Sequence, residues 1–452
     1  MLTNDDSETT IDPAGHAHPD DNVRVGKWSL MMAYWAMFSA MFWLYVAIAS
    51  VATVGTTNTL IGMALSIVSY GAINAVLSRH AIRTGETISE FSRNIFGPIG
   101  SSLAALLFAV TAIYYATFEG SIIAVALNQY FGGSMHVWYV VVVLYALPLV
   151  AKGVQNWLDK LNGALLPLYL IGLVAVIVGA TAKQGYPADW LTASGVGDSA
   201  IPGWITSYLI YMGVWVMMMY TFEFARLGQH KDRRFHATVT FGWVFYLATF
   251  ALNGLVGIYI VLAWRLDSTE TGVVTAVLSS IGVFGLLLIV VSQTRINTAN
   301  YYAASTNLQQ LYENITGRST SRVLWVIVAG VLAYLFMLTN VLSYLLKALA
   351  WQGVFVTAWV AIALVALYFN RRDQRLGTGT DTQWGSANVR ALSWPVLAWV
   401  IASAIGIALT EQTAFPSIAT LSPAITVVIA VVAYSLGRLS NRTAASARAA
   451  RR

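Results

Sequence analysis

The residues with the most chemistry to offer lie in one run of this 452-residue chain. The run is Ser292-Gln293-Thr294-Arg295-Ile296-Asn297-Thr298-Ala299-Asn300-Tyr301-Tyr302, directly after the apolar stretch Ile281 to Val291. If a single helix carries both, these groups sit deep in a bilayer, where one arginine costs about 2.5–3.5 kcal/mol on insertion scales. Such residues face a bundle interior or a wet cavity and mark a function by default. At about 100° per residue, Gln293, Asn297, Asn300 and Ala304 share one face, while Arg295, Thr298 and Tyr302 lie roughly opposite. One helix then lines a ligand site with amides and holds a cation elsewhere. The alternative is a span from Gly272 to Val291, after which the polar run emerges into the cytosol.

A second candidate is Glu119, in Ile113-Tyr114-Tyr115-Ala116-Thr117-Phe118-Glu119-Gly120-Ser121. Tyr115 and Glu119 are four apart and share a helix face, in an otherwise uncharged run. A buried carboxylate stays protonated, pairs with a cation or binds a ligand donor. Glu119 therefore either does ligand or proton work, or pairs with Arg295 or another helix with no role in binding. Two further stretches, Ala36 to Phe42 and Tyr211 to Met219, mix small residues, Met and aromatics at mid-helix. Where a transporter is built from inverted repeats, the first helix of each repeat is often broken, which exposes backbone to substrate and ion.

The elements that must position these residues are membrane helices. The chain is 57% hydrophobic and 10% charged, with 16 Trp, and several runs approach the roughly 20 apolar residues that a spanning helix needs. Composition thus points to an all-α polytopic membrane protein. No long alternating apolar–polar segments suggest a membrane barrel. The absence of cysteine excludes disulfides, thiolate metal sites and redox motifs. No metal site or cofactor is expected. His16 and His18 read as part of a solvated tail.

Twelve spans are predicted, near 28–52, 59–79, 101–131, 136–152, 162–182, 203–225, 237–264, 281–306, 322–341, 350–369, 391–410 and 421–437. Loop charge orients them. With the N-terminus inside, the cytosolic loops hold residues such as Arg79, Arg83, Arg93, Lys160, Arg233, Arg234, Arg318 and Arg372, while the outer loops hold little beyond Lys183 and Arg265. Both termini are expected in the cytoplasm of a cell whose inner (plasma) membrane holds the protein. The net charge of +6 then needs no nucleic-acid partner. Residues 1–27 read as a disordered cytosolic tail, 371–390 as a cytosolic loop and 438–452 as a basic tail. Glu223 and Arg226 read as a local ion pair at the cytosolic edge, and Lys347 as a snorkelling residue at the outer interface. The segment Arg79 to Gly100 reads as a short cytosolic helix ending in a turn.

Three segments together carry a likeness: Ser92-Arg93-Asn94-Ile95-Phe96-Gly97 before span 3, Phe222-Glu223-Phe224-Ala225-Arg226 closing span 6, and Asn297 to Leu308 in span 8. In this order and spacing they resemble the nucleobase–cation symporter family, which includes the purine–cytosine, allantoin and hydantoin permeases. The resemblance covers nearly the whole chain. It implies a 5+5 inverted repeat of the leucine-transporter type (28–190 and 191–370), with two added C-terminal helices in 391–437. It also implies a pocket. Tyr115 takes the place of an aromatic that stacks on a flat heterocycle, and Glu119 that of a glutamine hydrogen-bonding the ring's amide edge. Gly213-Val214, with Trp215 one step on, replaces a Gly-Trp pair, and Asn297 or Asn300 takes the place of a ligand-contacting asparagine.

Two departures from the family pattern carry information. Glu119 for glutamine removes a donor and favours a ligand offering two N–H groups or a positive charge. Thr294-Arg295-Ile296 stands where sodium-coupled relatives place hydroxyls of a sodium site, so the guanidinium would supply the ion's charge. The expected function is a secondary transporter importing a small nitrogen heterocycle such as a nucleobase. Protons are favoured over sodium as coupling cation, with Glu119, Arg295 and Thr294 as ion-coupling residues. An amino-acid or amine carrier of the same fold is the alternative, with Glu119 binding an ammonium. An intramembrane enzyme would need clustered His/Asp/Glu ligands or a nucleophile with a base, which the spans almost entirely lack.

Overall fold

The computed structural model describes residues 10–11, 17–18, 24–151, 159–197, 201–339, 345–375 and 392–449. A two-residue antiparallel pair, β1 (Thr10–Ile11) with β2 (Ala17–His18), is followed by helices throughout. These are α1 (Lys27–Tyr34), α2 (Phe42–Val54), α3 (Thr56–Thr84), α4 (Ile88–Phe131), α5 (Met135–Ala151), α6 (Asp159–Gln184), α7 (Gly203–Met212) and α8 (Val216–Ala225). The second half holds α9 (Arg233–Phe235), α10 (Trp243–Tyr246), α11 (Asn253–Trp264), α12 (Glu270–Ile281), α13 (Val283–Thr316), α14 (Arg322–Met337), α15 (Leu345–Arg375), α16 (Trp394–Thr410) and α17 (Pro416–Ala449). Among the described residues, six helices are long and apolar enough to cross a membrane, or up to eight when each bent pair counts as one span. This is a multi-pass membrane protein.

The polarity is arranged for lipid. Exposed apolar residues recur at helical spacing on outward faces, as Ile171, Val174 and Val178 do on α6 and Val428, Val432 and Leu436 on α17. Polar side chains are turned inward instead: Gln293, Arg295, Asn297 and Asn300 of α13 are all buried, at 0–2% exposure. The polar run therefore does not emerge from the bundle. It lies in the middle of a 34-residue helix, about 51 Å long at 1.5 Å per residue.

Two helices are broken where small residues, Met and aromatics cluster. The axis bends by 42° between Lys27–Ser39 and Phe42–Val54, and by 40° between α7 and α8. At the first break a 3₁₀ turn, Met37–Ser39, is followed by Ala40 in an extended conformation (ψ 130°), which interrupts the i→i−4 ladder. The second break is a short turn through Gly213 and Val214, closed by Gly213 N–H donating to Ile210 O (3.1 Å) and Met217 N–H to Val214 O (3.1 Å).

Several boundaries differ from the sequence reading. Span 8 begins at Val283 rather than inside one longer apolar run, because Gly282 (φ 58°, ψ −127°) ends a separate short helix, α12. The segment before span 3 is a helix from Ile88 with a Thr87–Glu90 capping box; it does not end in a turn but runs into the span across a kink at Gly97 (φ 85°). That left-handed backbone suits glycine, and Pro98 restarts the helix at its first turn. Most of the expected disordered tail lies outside the described residues, yet its last part is tied down. Val25 N–H donates to Leu227 O (2.8 Å), and Arg24 Nη1 donates to Ile82 O (2.6 Å) and Gly228 O (2.9 Å). The C-terminal basic segment continues as helix to Ala449, and the loop from 376 to 391 is outside the described residues.

Helix α11 packs on α2 with glycine at the crossing. A Cβ added at Gly257 would lie 2.7 Å from Leu44 Cα, whereas one at Gly26 meets nothing within 4 Å. Gly257→Ala should destabilise by about 1–3 kcal/mol through overpacking, and Gly26→Ala should stay within about 0.5 kcal/mol. Thermal unfolding of the detergent-solubilised protein measures both.

Candidate functional site

Breaking a helix inside a bilayer frees backbone groups that lipid cannot satisfy, each at a cost of several kcal/mol. At the first break, side chains take them up one by one. Trp35 O accepts from Arg295 Nη2 (3.0 Å), and Met37 O from Trp43 Nε1 (2.8 Å). Phe38 O accepts from Asn253 Nδ2 (2.7 Å), and Met41 N–H donates to Gln293 Oε1 (3.0 Å). Two of these four partners come from the polar run of α13. Asn253 opens α11 directly after a π-helical stretch, Leu247–Leu252, and is itself held by Tyr169 O–H (2.5 Å).

Gln293 also reaches α4. Its Nε2 donates to the Glu119 carboxylate at Oε2 and to the Glu119 backbone carbonyl (3.3 Å), while its Oε1 additionally accepts from Ser292 Oγ (3.0 Å). Glu119 is 1% exposed, and its Oε1 accepts no hydrogen bond from a described residue. The ion pair with Arg295 is not formed. Gln293 and Arg295 stand two residues and so about 200° apart on the helix, and the guanidinium turns to Trp35 O instead. Arg295 Nε and Nη1, both buried, find no partner among the described residues.

A small cavity of about 20 Å³ lies between the two breaks, lined by Met37, Phe42, Tyr115, Glu119, Val214 and Asn300 among others. That volume holds about one water molecule. Asn300 is fixed there by Tyr220 O–H donating to its Oδ1 (2.7 Å) and by its own Nδ2 donating to Asn297 Oδ1 (3.3 Å). The rings of Phe42 and Tyr115 meet edge-on, with centroids 5.9 Å apart. Phe42 and Val214 also form part of the wall of a larger chamber of about 280 Å³, which is almost wholly apolar and includes Ala49, Leu209, Gly213, Trp215 and Gly353.

The structure thus gathers Tyr115, Glu119, Val214 and Asn300 around one cavity and puts Gly213 and Trp215 on the larger chamber. Asn297 supports Asn300 and does not line the small cavity. Thr294 bonds Val290 O (2.6 Å) and Tyr145 O–H (2.9 Å), away from the break. Asn253 and Tyr220 were not assigned from sequence, and Gln293 was placed on the amide face of its helix without a partner. A signal for Asn253 exists, as the one amide in the apolar run Phe250 to Trp264.

Farther out, Glu223 and Arg226 form the expected pair (2.8 Å), and Glu223 Oε2 also accepts the Ile88 N–H (3.4 Å), which ties α8 to the start of α4. Lys347, exposed, pairs with Glu411 (3.0 Å), which also accepts from Trp351 Nε1 (2.7 Å). These two bonds hold the Glu411 carboxyl below the usual carboxylate range.

No protein-family model and no curated protein sequence matches the chain. Solved structures do. Mhp1, a nucleobase–cation-symport-1 family transporter in a closed conformation with bromovinylhydantoin bound, matches with a TM-score of 0.72. The identity is 18%, over 93% of this chain and 94% of that one. A sodium-coupled sialic acid symporter matches with a TM-score of 0.67 and 14% identity, over 92% of this chain and 90% of its own. A manganese transporter of Eremococcus coleocola matches with a TM-score of 0.61 and 13% identity, over 97% and 98%. The chain has the fold of these helical membrane transporters. None of the three is an enzyme.

Two substitutions separate the bonded from the unbonded groups of the cavity. Glu119→Leu removes the carboxylate partner of the buried Gln293 amide and should cost about 1–3 kcal/mol. Tyr115→Phe removes a hydroxyl with no partner among the described residues and should change stability by less than about 0.5 kcal/mol. Thermal unfolding without added ligand reads both.

Proposed function

We propose that this protein is a secondary active transporter of the nucleobase–cation symporter family, importing a small nitrogen heterocycle such as a nucleobase or related compound. The observation that carries the proposal is the meeting of Tyr115, Glu119, Val214 and Asn300 between two helix breaks. Discontinuous helices of this kind hold substrate and coupling ion near the midplane in transporters built from repeats. The arrangement supports twelve spans in two inverted repeats, with the α1–α2 and α7–α8 pairs as counterparts and two further spans after them. The basic loop residues support termini on the cytoplasmic side of the inner membrane.

The ligand chemistry follows from the lining. Phe42, Trp43 and Tyr115 offer aromatic surface, and Glu119 Oε1 is the free acceptor. An edge with adjacent N–H donors, as in cytosine or adenine, or a cationic heterocycle suits a carboxylate. The same carboxylate would suit the ammonium of an amine or amino acid, which keeps that carrier as the second reading.

Coupling by protons rather than sodium is part of the proposal. Arg295 already places a guanidinium on Trp35 O at the first break, where exposed carbonyls would otherwise attract a cation, and Glu119 is the carboxylate available to carry a proton. Wild-type protein should be stabilised by a nucleobase or hydantoin equally in sodium and in choline chloride, and Glu119→Ala should lose that stabilisation. Proteoliposome uptake of the same compound should persist without sodium and fall at least about tenfold in Arg295→Met, the scale of losing one charge-assisted contact. Affinity that needs sodium would overturn the coupling assignment, and stabilisation by amines alone would replace the heterocycle.

A further inference from the structure

The bonding around Gln293 makes one side chain answerable to two helices. Met41 N–H is a backbone donor whose direction is fixed, so Gln293 must turn Oε1 toward it, and Nε2 is thereby directed at Glu119. The amide bridges the carboxylate of α4 to the first free N–H of the outgoing half-helix α2. Ser39 adds a parallel tie from the break to α13, its Oγ donating to Ser292 O (3.3 Å).

We propose that Gln293 is a positioning residue that latches α2 to α13 while Glu119 is ionised and releases it when Glu119 takes up a proton. As a carboxylate, Glu119 is acceptor-only and makes a charge-assisted bond with Nε2, about twice as strong as a neutral one. That bond immobilises the amide and so presents Oε1 to Met41. On protonation the charge is lost and one carboxyl oxygen becomes a donor, so the amide keeps only its neutral bonds to Met41 N–H, Ser292 Oγ and the Glu119 backbone carbonyl and is held less firmly. The proton comes from the aqueous phase, and no other bond changes. The other ionisable groups around Glu119 are Tyr115 on the same helix, Tyr169 on α6, Tyr220 on α8 and Arg295 on α13. Ordinary tyrosine and arginine side chains keep their protons through neutral pH, which leaves the carboxyl as the group that switches. Since α2 forms one wall of the 280 Å³ chamber through Phe42, Tyr45, Val46 and Ala49, release of its inner end widens that chamber. The latch rests on the reading of Glu119 as proton carrier and gives it a mechanical output.

The chain contains no cysteine, so one introduced thiol reports without background. Leu209→Cys places it in the chamber wall, and alkylation by a charged maleimide in proteoliposomes reads the opening with no substrate present. In this background, labelling should quicken about tenfold from alkaline to acid pH, the difference between a charge-assisted and a neutral hydrogen bond. Adding Gln293→Leu should give the fast rate at every pH. Glu119→Gln, which keeps size and shape, should also remove the pH dependence and carries the test alone if Gln293→Leu does not fold. A pH-independent rate in the Leu209→Cys background, or a full pH response in Gln293→Leu, overturns the latch. Either result leaves the transport reading to its own uptake assay. A pH response that depends on Gln293, in a protein that binds no heterocycle, upholds the latch and removes that substrate.

Discussion

The rest of the structure depends on the unfinished hydrogen bonds of the first helix break. A helix that stops at Trp35 and restarts at Phe42 leaves carbonyls and an N–H in a medium with no water to receive them. Four side chains answer: Arg295, Trp43, Asn253 and Gln293. Three of them are themselves strongly polar and would be costly in an apolar core. Break and polar run are thus mutually required. Removing the amides would orphan the backbone, and straightening the helix would orphan the amides.

That reciprocity explains why α13 can be long and polar at its centre. Its first part, Val283–Val291, is apolar, and the polar residues that follow are matched by the break they serve. The second break is closed mainly by its own turn, with Gly213 N–H bonding Ile210 O and Met217 N–H bonding Val214 O, and one side chain adds to it, Tyr70 O–H donating to Tyr211 O (2.9 Å). Gly353 of α15 packs close against it: a Cβ there would lie 2.8 Å from Gly213 O. The first break is held by several side chains and the second mainly by local turn geometry, with Tyr70 alone added. A change of charge at Glu119 therefore acts on the first break and leaves the second to follow by packing.

The sequence was most readable where cost was highest. An arginine and several amides after an apolar run had to be buried and used, and the structure buries them. Tyr115 and Glu119 had to share a face because they are four residues apart, and both line the same cavity. Rotation of a helix about its own axis was not readable. Whether Gln293, Asn297 or Asn300 reaches the break depends on how α13 seats against α4, which no residue spacing states. The pairing of Glu119 with Arg295 looked natural from opposite charge alone. It fails because Glu119 meets the Gln293 face of α13, about 200° from Arg295, and because a bare carbonyl takes the guanidinium. α12 was hidden for another reason. Its apolar residues run on into span 8, and only the positive φ of Gly282 separates them.

The two cavities show what any ligand would have to change. The small one, beside Glu119 and Asn300, holds about one water molecule, and the other is over ten times larger, yet Phe42 and Val214 border both. A heterocycle does not fit the small cavity in this conformation, so on the proposed reading binding there would select a state in which these two residues have moved apart. A ligand can shift such an equilibrium only by its differential affinity for the open state. Phe42 is the first residue of α2, and Val214 lies in the second break. Moving either residue therefore means moving a half-helix, and for α2 the restraint on that motion is the bond from Met41 to Gln293. On the proposed reading, the carboxylate that would bind the ligand's edge and the amide that would restrain its entry are one hydrogen bond apart.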